Sequence, residues 1–283
     1  MNKTETFHRL HHGKEPLVLP NAWDFGSAAL LAAEGFPAIG STSLGVAVAA
    51  GLPDGTGVTA AATMALARLL ARLPVPVTVD IEGGFSESPT AVGEYVARLA
   101  EIGIAGINVE DGRTENSLAA PQHQAAVIAA IKAHAPRLFV NARVDTHWLH
   151  LDAGSTLDRA VRYADAGADG IFVPGLTDPT AIERTVAAVP LPVNILYSPN
   201  GPSLATLAAL GVRRVSTGSL LYRTALAAAV DTARAVRADT PLPTVAPPYD
   251  RIQASPSEIA ESDSAPSSQL RISDSRSAGG DYH

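Results

Sequence analysis

Short apolar runs alternate along the chain with longer segments rich in Ala, Leu and Arg. The runs have the length and composition of buried strands: Leu17–Asn21, Ala38–Ser43, Val75–Ile81, Gly106–Glu110, Leu138–Arg143, Gly170–Pro174, Val193–Tyr197 and Arg214–Thr217. Segments of helical length follow them: Phe25–Glu34, Thr59–Leu73, Pro89–Ile102, Pro121–Ala135, Thr156–Ala166, Pro179–Val189, Ser203–Leu210 and Ser219–Arg237. Strands that alternate with helices pair in parallel through helical crossovers. Eight such units in about 240 residues predict a closed (β/α)₈ TIM barrel, with a doubly wound open sheet as the alternative.

Glycine marks the end of several predicted helices. The segments AEGFPA, EIGIAG, ADAGADG and AALGVRR each place a glycine after a helix and just before a strand. Glycine supplies the left-handed conformation that ends a helix. These corners support a repeated strand–helix unit, and we predict that residues 1–240 form one barrel domain that carries the active site.

The composition changes after about Thr240. The segment TPLPTVAPPYD is rich in proline, and the residues after it are rich in Ser, Asp, Gly and Pro. A segment of this kind buries too little apolar surface to offset its ordering entropy. We therefore predict that residues 241–283 form a disordered C-terminal tail.

Composition and charge exclude several classes of function. The chain of 283 residues has a net charge of −7 and no long basic run, which argues against a nucleic-acid partner. It contains no cysteine, so disulfides, thiolate nucleophiles and Cys-ligated metal centres are excluded. The N-terminal residues lack the apolar core of a signal peptide, and no apolar run reaches the ~18 residues of a membrane span. We expect a cytoplasmic protein without a membrane partner.

Polar side chains follow most of the predicted strands. In a (β/α)₈ barrel the active site lies at the C-terminal ends of the strands. The side chains expected there, strand by strand, are Asn21 and Trp23, then Ser41, Thr42 and Ser43 with Asp54 in the next loop, then Asp80 and Glu82, Asn108, Glu110 and Asp111, Asn141, Arg143 and Asp145, Pro174, Asn194, and Ser216, Thr217 and Ser219.

Four of these side chains are acids from neighbouring loops: Asp54, Asp80, Glu82 and Glu110. Carboxylates that lie close together repel one another, and a divalent cation removes the conflict. Oxygen ligands without cysteine suit Mg²⁺, with Mn²⁺ also possible. In the alternative, an acid at a strand end caps the next helix or pairs with an arginine, and Arg143 forms a structural salt bridge. We expect Asp24 to cap a helix, and His8, His11 and His12 to lie in a solvated segment.

The motifs resemble those of the isocitrate lyase/phosphoenolpyruvate mutase superfamily. They are LPNAWDFGSAALLAAEGFPAIGSTSLGVAVAAGLPDG, PVTVDIEGGF, GINVEDG, FVNARVDTH and YADAGADGIFVPG, in this order, and they span most of residues 17–175. Five ordered motifs make the resemblance specific, whereas any one alone is weak.

The resemblance implies a role for each matching residue. The implied metal residues are Asp80, Glu82 and Glu110. The implied substrate-binding residues are Trp23, Ser41, Thr42, Ser43, Arg143 and Asn194. The implied catalytic residues are Arg143, Asp54, Asn116 and Ser117. It also implies a Mg²⁺ cofactor, a small carboxylate substrate, and a homodimer or homotetramer formed through the last helix.

Two departures from the superfamily pattern bear on function. Its lyases carry a Lys-Lys-Cys-Gly-His lid after the fourth strand, whereas this chain reads EDGRTENSLAAPQHQ there. The cysteine acid of those lyases is therefore absent. The ENSL segment resembles the lid of members that act on phosphonopyruvate, although a polar loop before Pro121 is the alternative. Glu82 stands where the family usually has Asp.

These features predict a Mg²⁺-dependent lyase. It would break a C–C bond next to a 2-oxo or 2-hydroxy carboxylate through a metal-stabilised enolate, as in decarboxylation of oxaloacetate. The alternative is a phosphonopyruvate mutase or hydrolase that breaks a C–P bond. A further alternative is a metal-free, phosphate-binding isomerase that uses VSTGSLL near the eighth strand, or a barrel that only binds a ligand.

Overall fold

The computed structural model describes residues 2–243 and 246–253, and eight parallel barrel strands dominate it. The predicted TIM barrel is confirmed: each strand pairs with its neighbours in parallel, in chain order. The strands are Leu17–Leu19 with Asn21–Ala22, Ile39–Ser41, Val77–Asp80, Gly106–Glu110, Phe139–Arg143, Gly170–Val173, Val193–Leu196 and Arg214–Ser216.

The first strand is interrupted at Pro20, and its two halves close the barrel. Leu17–Leu19 pairs with the eighth strand, whereas Asn21–Ala22 pairs with the second. Proline has no N–H to donate to a ladder, so it breaks a strand at this point. Its carbonyl still accepts a hydrogen bond from the amide of Gly40 at 2.9 Å.

The predicted helices between the strands are all present. They are Phe25–Ala33, Ala60–Leu70, Pro89–Glu101, Pro121–His134, Thr156–Asp165, Pro179–Ala188, Leu204–Ala209 and Leu220–Ala238. A short helix, Ser43–Ala49, follows the second strand and was not predicted. Asp24 caps Phe25–Ala33 by accepting a hydrogen bond from the Ser27 amide at 2.7 Å, as expected.

An N-terminal helix, Lys3–Leu10, contacts the barrel near the N-terminal end of its fifth strand. Phe7 is fully buried and its ring packs against Phe139 at 5.4 Å between centroids. His11 stacks on the same ring at 4.1 Å. Gly106 of the fourth strand leaves space for the Phe7 ring, because a Cβ at that position would lie 2.7 Å from it.

The expectation of a solvated histidine segment is therefore wrong for His11. Its side chain is buried, and its Nδ1 hydrogen-bonds the carbonyl of Phe7 at 2.8 Å. Burial lowers the pKa of His11 to about 3, with a contribution from the charge of Arg214. The imidazole is neutral at physiological pH, which suits its stacking on Phe139.

The last barrel helix, Leu220–Ala238, is largely exposed. Leu226, Val230 and Val236 have 47%, 48% and 67% of their surface accessible. The predicted homodimer or homotetramer stays a prediction. Part of the predicted tail forms a short helix, Tyr249–Gln253, in which Arg251 pairs with Glu34. Residues 244–245 and 254–283 lie outside the described residues.

None of the helices in the described ranges is long and apolar enough to cross a membrane.

Substitution Phe7→Ala should destabilise the protein by about 3–5 kcal/mol, because it leaves a cavity beneath the barrel. Urea unfolding of the purified protein measures the change. Arg9→Ala, on the exposed side of the same helix, serves as the control and should change stability by less than ~0.5 kcal/mol. Equal stability of the two variants would show that the burial of Phe7 contributes nothing to stability.

Candidate active site

A cavity of about 590 Å³ opens at the C-terminal ends of the barrel strands. Its size lies within the ~300–1,000 Å³ range of small-molecule sites. The predicted residues that line it are Ser41, Thr42, Ser43, Asp54, Asp80, Glu110, Asn116 and Arg143. Four predicted site residues do not line it: Trp23, Glu82, Ser117 and Asn194.

Arg143 forms the centre of the charged cluster in this cavity. Strand register pairs it directly with Glu110, and its Nη1 lies 2.6 Å from a Glu110 carboxylate oxygen. Its Nε donates to Asp145 at 2.6 Å. The Nη2 group makes no hydrogen bond to a described residue and remains available to a ligand.

The charges of this cluster shift one another's ionisation. Burial raises the pKa of Glu110 well above its usual value, and burial also raises the pKa of Asp145, while Arg143 opposes both shifts. Burial alone would lower the pKa of Arg143, but Glu110, Asp145 and Asp80 together raise it. Arg143 is therefore a permanent cation held between two carboxyl groups.

Asp111, the second acid of the VED motif, supports this cluster from behind. It is fully buried and accepts hydrogen bonds from Arg159 at 2.9 Å and from the Tyr163 hydroxyl at 2.6 Å. Its other oxygen accepts the backbone amide of Asp145 at 2.8 Å. Asp111 therefore fixes the chain that carries Asp145, and so the orientation of Arg143.

Asp80 ends the third strand beside the cluster. Its amide donates to the Ser41 hydroxyl at 2.9 Å, and its Oδ1 accepts the Glu82 amide at 3.0 Å. Its Oδ2 makes no hydrogen bond to a described residue. Burial raises the pKa of Asp80 to about 6, although Arg143 opposes the rise.

Glu82 binds protein groups with both of its carboxylate oxygens. Oε2 accepts the Gly57 amide at 2.8 Å, and Oε1 accepts the Thr59 hydroxyl. The residue is buried and has a left-handed backbone, with φ of 51°. Instead of presenting an oxygen to the cavity, Glu82 ties the loop that carries Asp54 to the third strand.

Three other predicted residues pack around the site. Trp23 lies 5.2 Å from Tyr222 between ring centroids, and Gly45 leaves space for it, because a Cβ there would be 2.7 Å from the Trp23 Cβ. Asn194 donates to the Ser216 hydroxyl at 3.0 Å inside the barrel. The hydroxyl of Ser117 is exposed and donates to the Thr114 carbonyl at 2.8 Å.

The predicted lid is a short antiparallel hairpin of Gly112–Arg113 and Ser117–Leu118, which we call the lid hairpin. Glu115 and Asn116 form its tip, both with positive φ, and both line the cavity. Arg113 anchors it by donating to the carbonyls of Glu110 at 2.9 Å and Gly112 at 2.8 Å.

A family model described as phosphoenolpyruvate phosphomutase matches residues 7–237. The chain belongs to this family. An uncharacterized protein of Mycobacterium tuberculosis is 51% identical to it over 251 residues, 88% of this chain and 95% of the relative. The phosphoenolpyruvate phosphomutase of Streptomyces hygroscopicus is 30% identical over 251 residues, 81% and 79% of the two chains. The resemblance to the isocitrate lyase/phosphoenolpyruvate mutase superfamily is thus confirmed.

Lyases occur among the relatives in this family as well. The 2-methylisocitrate lyase of Bacillus subtilis is 33% identical over 198 residues, 66% of this chain and 64% of the lyase. A crystal structure from Burkholderia cenocepacia, provisionally assigned as a phosphonomutase, superimposes with a TM-score of 0.77 at 38% identity, over 82% of this chain and 99% of the other. The protein is accordingly an enzyme of lyase or phosphomutase type.

The acids that line the cavity suit a Mg²⁺ ion that keeps most of its water shell and has few direct protein ligands. They suit an ion enclosed by carboxylates less well. Across the part of the chain that the structure describes, no three His, Cys, Asp or Glu side chains converge as metal ligands. Mg²⁺ keeps several waters and is commonly held by one or two carboxylates. Asp80 has a free oxygen, and the charge of Asp54 acts on it closely enough to raise its pKa.

Sequence reasoning missed a buried cation below the cavity. Arg214 is fully buried in the barrel, where its Nε donates to Ser216 at 2.9 Å and its Nη2 to Asn108 at 3.2 Å. Its Nη1 has no partner among the described residues. Arg214 and Ser216 lie two residues apart on one strand, so the alternation of side chains could have predicted that both point to the barrel interior.

In metal-free protein, Asp80→Asn should raise the melting temperature at pH 8 and less so at pH 4. The folded-state pKa of about 6 lies above the usual 3.8. The carboxyl of Asp80 therefore destabilises the fold progressively as pH rises between these values, and fully above them. Each kcal/mol corresponds to roughly 2–4 °C in a domain of this size.

Calorimetric melting in EDTA at both pH values measures this difference, with the exposed Asp165→Asn as the control. A gain in melting temperature that is the same at pH 4 and pH 8 would contradict the raised pKa of Asp80.

Proposed function

We propose that the protein is a Mg²⁺-dependent lyase that breaks a C–C bond next to a 2-oxo or 2-hydroxy carboxylate, with decarboxylation of oxaloacetate as the simplest case. The observation that carries the proposal is Arg143, a cation fixed by Glu110 and Asp145 with one free N–H group at the cavity. The family, with its lyases and phosphomutases, agrees with it.

Arg143 would bind and orient the substrate. The free Nη2 of Arg143 would donate to a substrate carboxylate. Charge-assisted hydrogen bonds of this kind are about twice as strong as neutral ones. The residues Ser41 to Ser43 line the same cavity at the end of the second strand and would bind further carboxylate oxygens. As the bond breaks, negative charge develops on the neighbouring oxygen, and the fixed cation stabilises it.

A bound Mg²⁺ would add Lewis-acid polarisation of the substrate carbonyl. Asp80 would be its direct ligand, because one carboxylate oxygen is uncommitted. Asp54 and Glu110 would contact its water shell. Glu82 would act on the site indirectly, by holding the loop of Asp54.

Decarboxylation suits a site without a thiol. The chain has no cysteine, so the cysteine acid of the superfamily's lyases has no counterpart. The enolate left by loss of CO₂ can take its proton from water. The lid hairpin would limit access of bulk water during the reaction.

Phosphonopyruvate is the second candidate substrate, and one residue favours it. Asn116 lines the cavity from the tip of the lid hairpin, where it could approach a phosphoryl group. Ser117, its predicted partner, hydrogen-bonds the hairpin's own backbone and does not line the cavity. This arrangement supports the C–P reaction less well than the lyase reaction.

A metal-free phosphate site at the eighth strand finds little support. The amides of Thr217 and Gly218 both donate to the side-chain oxygen of Asn21, at 3.0 and 2.9 Å. These amides would have to bind the phosphate, and they are already occupied.

With Mg²⁺, the purified protein should release CO₂ from oxaloacetate above the uncatalysed rate, and EDTA should abolish this excess. Phosphonopyruvate is assayed in parallel, with Asn116→Ala as the test variant. Turnover of phosphonopyruvate alone, lost in Asn116→Ala, would replace the lyase proposal with the second candidate.

Arg143→Lys should lower kcat/KM by about 10²–10³, the usual effect of removing one stabilising donor. Lysine keeps the charge, but its single nitrogen replaces the two nitrogens, Nη1 and Nε, through which Arg143 contacts Glu110 and Asp145. Steady-state kinetics measures the change, and Arg162→Lys on the exposed face of its helix is the matched control. A loss below tenfold would remove Arg143 from the reaction.

A further inference from the structure

The cavity has two walls of different chemistry. The loops and strands from the first to the fourth strand contribute polar side chains, including Asn21, Ser41, Asp80 and Asn108. The fifth to seventh strands and their loops contribute mostly apolar ones, which we call the apolar wall: Trp148, Leu149, Phe172, Pro174 and Leu196.

The apolar wall begins directly beside Arg143. The guanidinium carbon lies 5.9 Å from the ring centroids of both Trp148 and Phe172. A ligand whose carboxylate is bound by Arg143 would therefore have its neighbouring carbons within reach of these rings. Trp148 is 50% exposed, so a bound apolar group would remove indole surface from water.

Two glycines hold the apolar wall in place. A Cβ at Gly175 would lie 3.1 Å from the backbone of His147 and 3.2 Å from the amide of Trp148, so the two loops are in close contact. A Cβ at Gly218 would lie 2.8 Å from the Leu196 side chain. Close contacts with the segments that carry Gly175 and Gly218 thus hold the apolar wall in position.

The cavity offers few cationic donors for a second anionic group. Its lining includes two arginines. Both terminal nitrogens of Arg113 already donate hydrogen bonds, Nη1 to the carbonyls of Glu110 and Gly112 and Nη2 to the side chain of Gln124. The acids that line it are Asp54, Asp80, Glu110, Glu115 and Asp145. A carboxylate against the apolar wall would lose its hydration without gaining a partner.

We propose that the substrate carries an apolar substituent that lies on the apolar wall, so that the enzyme selects alkyl- or aryl-substituted 2-oxo or 2-hydroxy acids over analogues with a carboxylate at that end. This inference rests on the proposed function for the reaction, but the preference itself concerns binding. Trp148, Phe172 and Leu196 are its specificity-determining residues.

Calorimetric titration of the Mg²⁺-loaded protein tests the preference with pyruvate, 2-oxobutanoate, 2-oxopentanoate and 2-oxoglutarate. Affinity should rise about 3- to 4-fold with each added methylene. 2-Oxoglutarate, which has a second carboxylate, should bind more weakly than 2-oxopentanoate of the same chain length. Affinity that does not change with chain length, or tighter binding of 2-oxoglutarate, would overturn the proposal.

Leu196→Asn should remove most of the rise in affinity from pyruvate to 2-oxopentanoate. Leu204→Asn, on the exposed side of a barrel helix, is the matched control. If Leu196→Asn does not fold, Trp148→Ala tests the same wall from a half-exposed position. A full chain-length effect in these variants would also refute the assignment.

The outcome separates this inference from the proposed reaction. A chain-length effect without turnover of oxaloacetate or phosphonopyruvate would support the apolar wall and refute both of these compounds as substrates. Turnover of oxaloacetate without any effect of chain length on affinity would support the proposed reaction and refute the apolar wall as a binding surface.

Discussion

The site depends on one largely buried guanidinium held between two carboxyl groups. Arg143 contacts Glu110 and Asp145 at 2.6 Å each, and its charge opposes the rise that burial causes in the pKa of both acids. Asp111, with Arg159 and Tyr163, fixes the backbone of Asp145 from the protein interior. A free arginine side chain samples many rotamers, whereas this one has its direction set before a ligand arrives, which is the preorganisation that electrostatic catalysis requires.

The acids around this cation have separate tasks. Glu110 pairs with Arg143, Glu82 joins two loops, and Asp111 supports the cluster from behind. Asp80 is left with an uncommitted oxygen and a raised pKa, which are the properties of a group that awaits a cation.

The barrel could be predicted because alternation of apolar runs and helical segments is a local property of the sequence. Eight of the predicted site residues line the cavity, since strand ends converge at one face of a barrel, whereas Trp23, Glu82, Ser117 and Asn194 do not. The register that places Glu110 opposite Arg143 could not be predicted, because it depends on how two strands slide against each other. The helix Lys3–Leu10 was missed because only Phe7 in it is buried, too little for a periodic signal. The hydrogen bonds of Glu82 arise from a loop, where sequence patterns carry little information.

The N-terminal helix joins parts of the chain that are far apart in sequence. Lys3 binds the carbonyls of Ala71 and Leu73 at 2.8 and 2.5 Å, and His8 binds that of Arg137, 129 residues away. Contacts of such separation carry a high loop-closure entropy and form late. The helix can dock only once the fifth strand is in place, because Phe139, against which Phe7 and His11 pack, belongs to that strand.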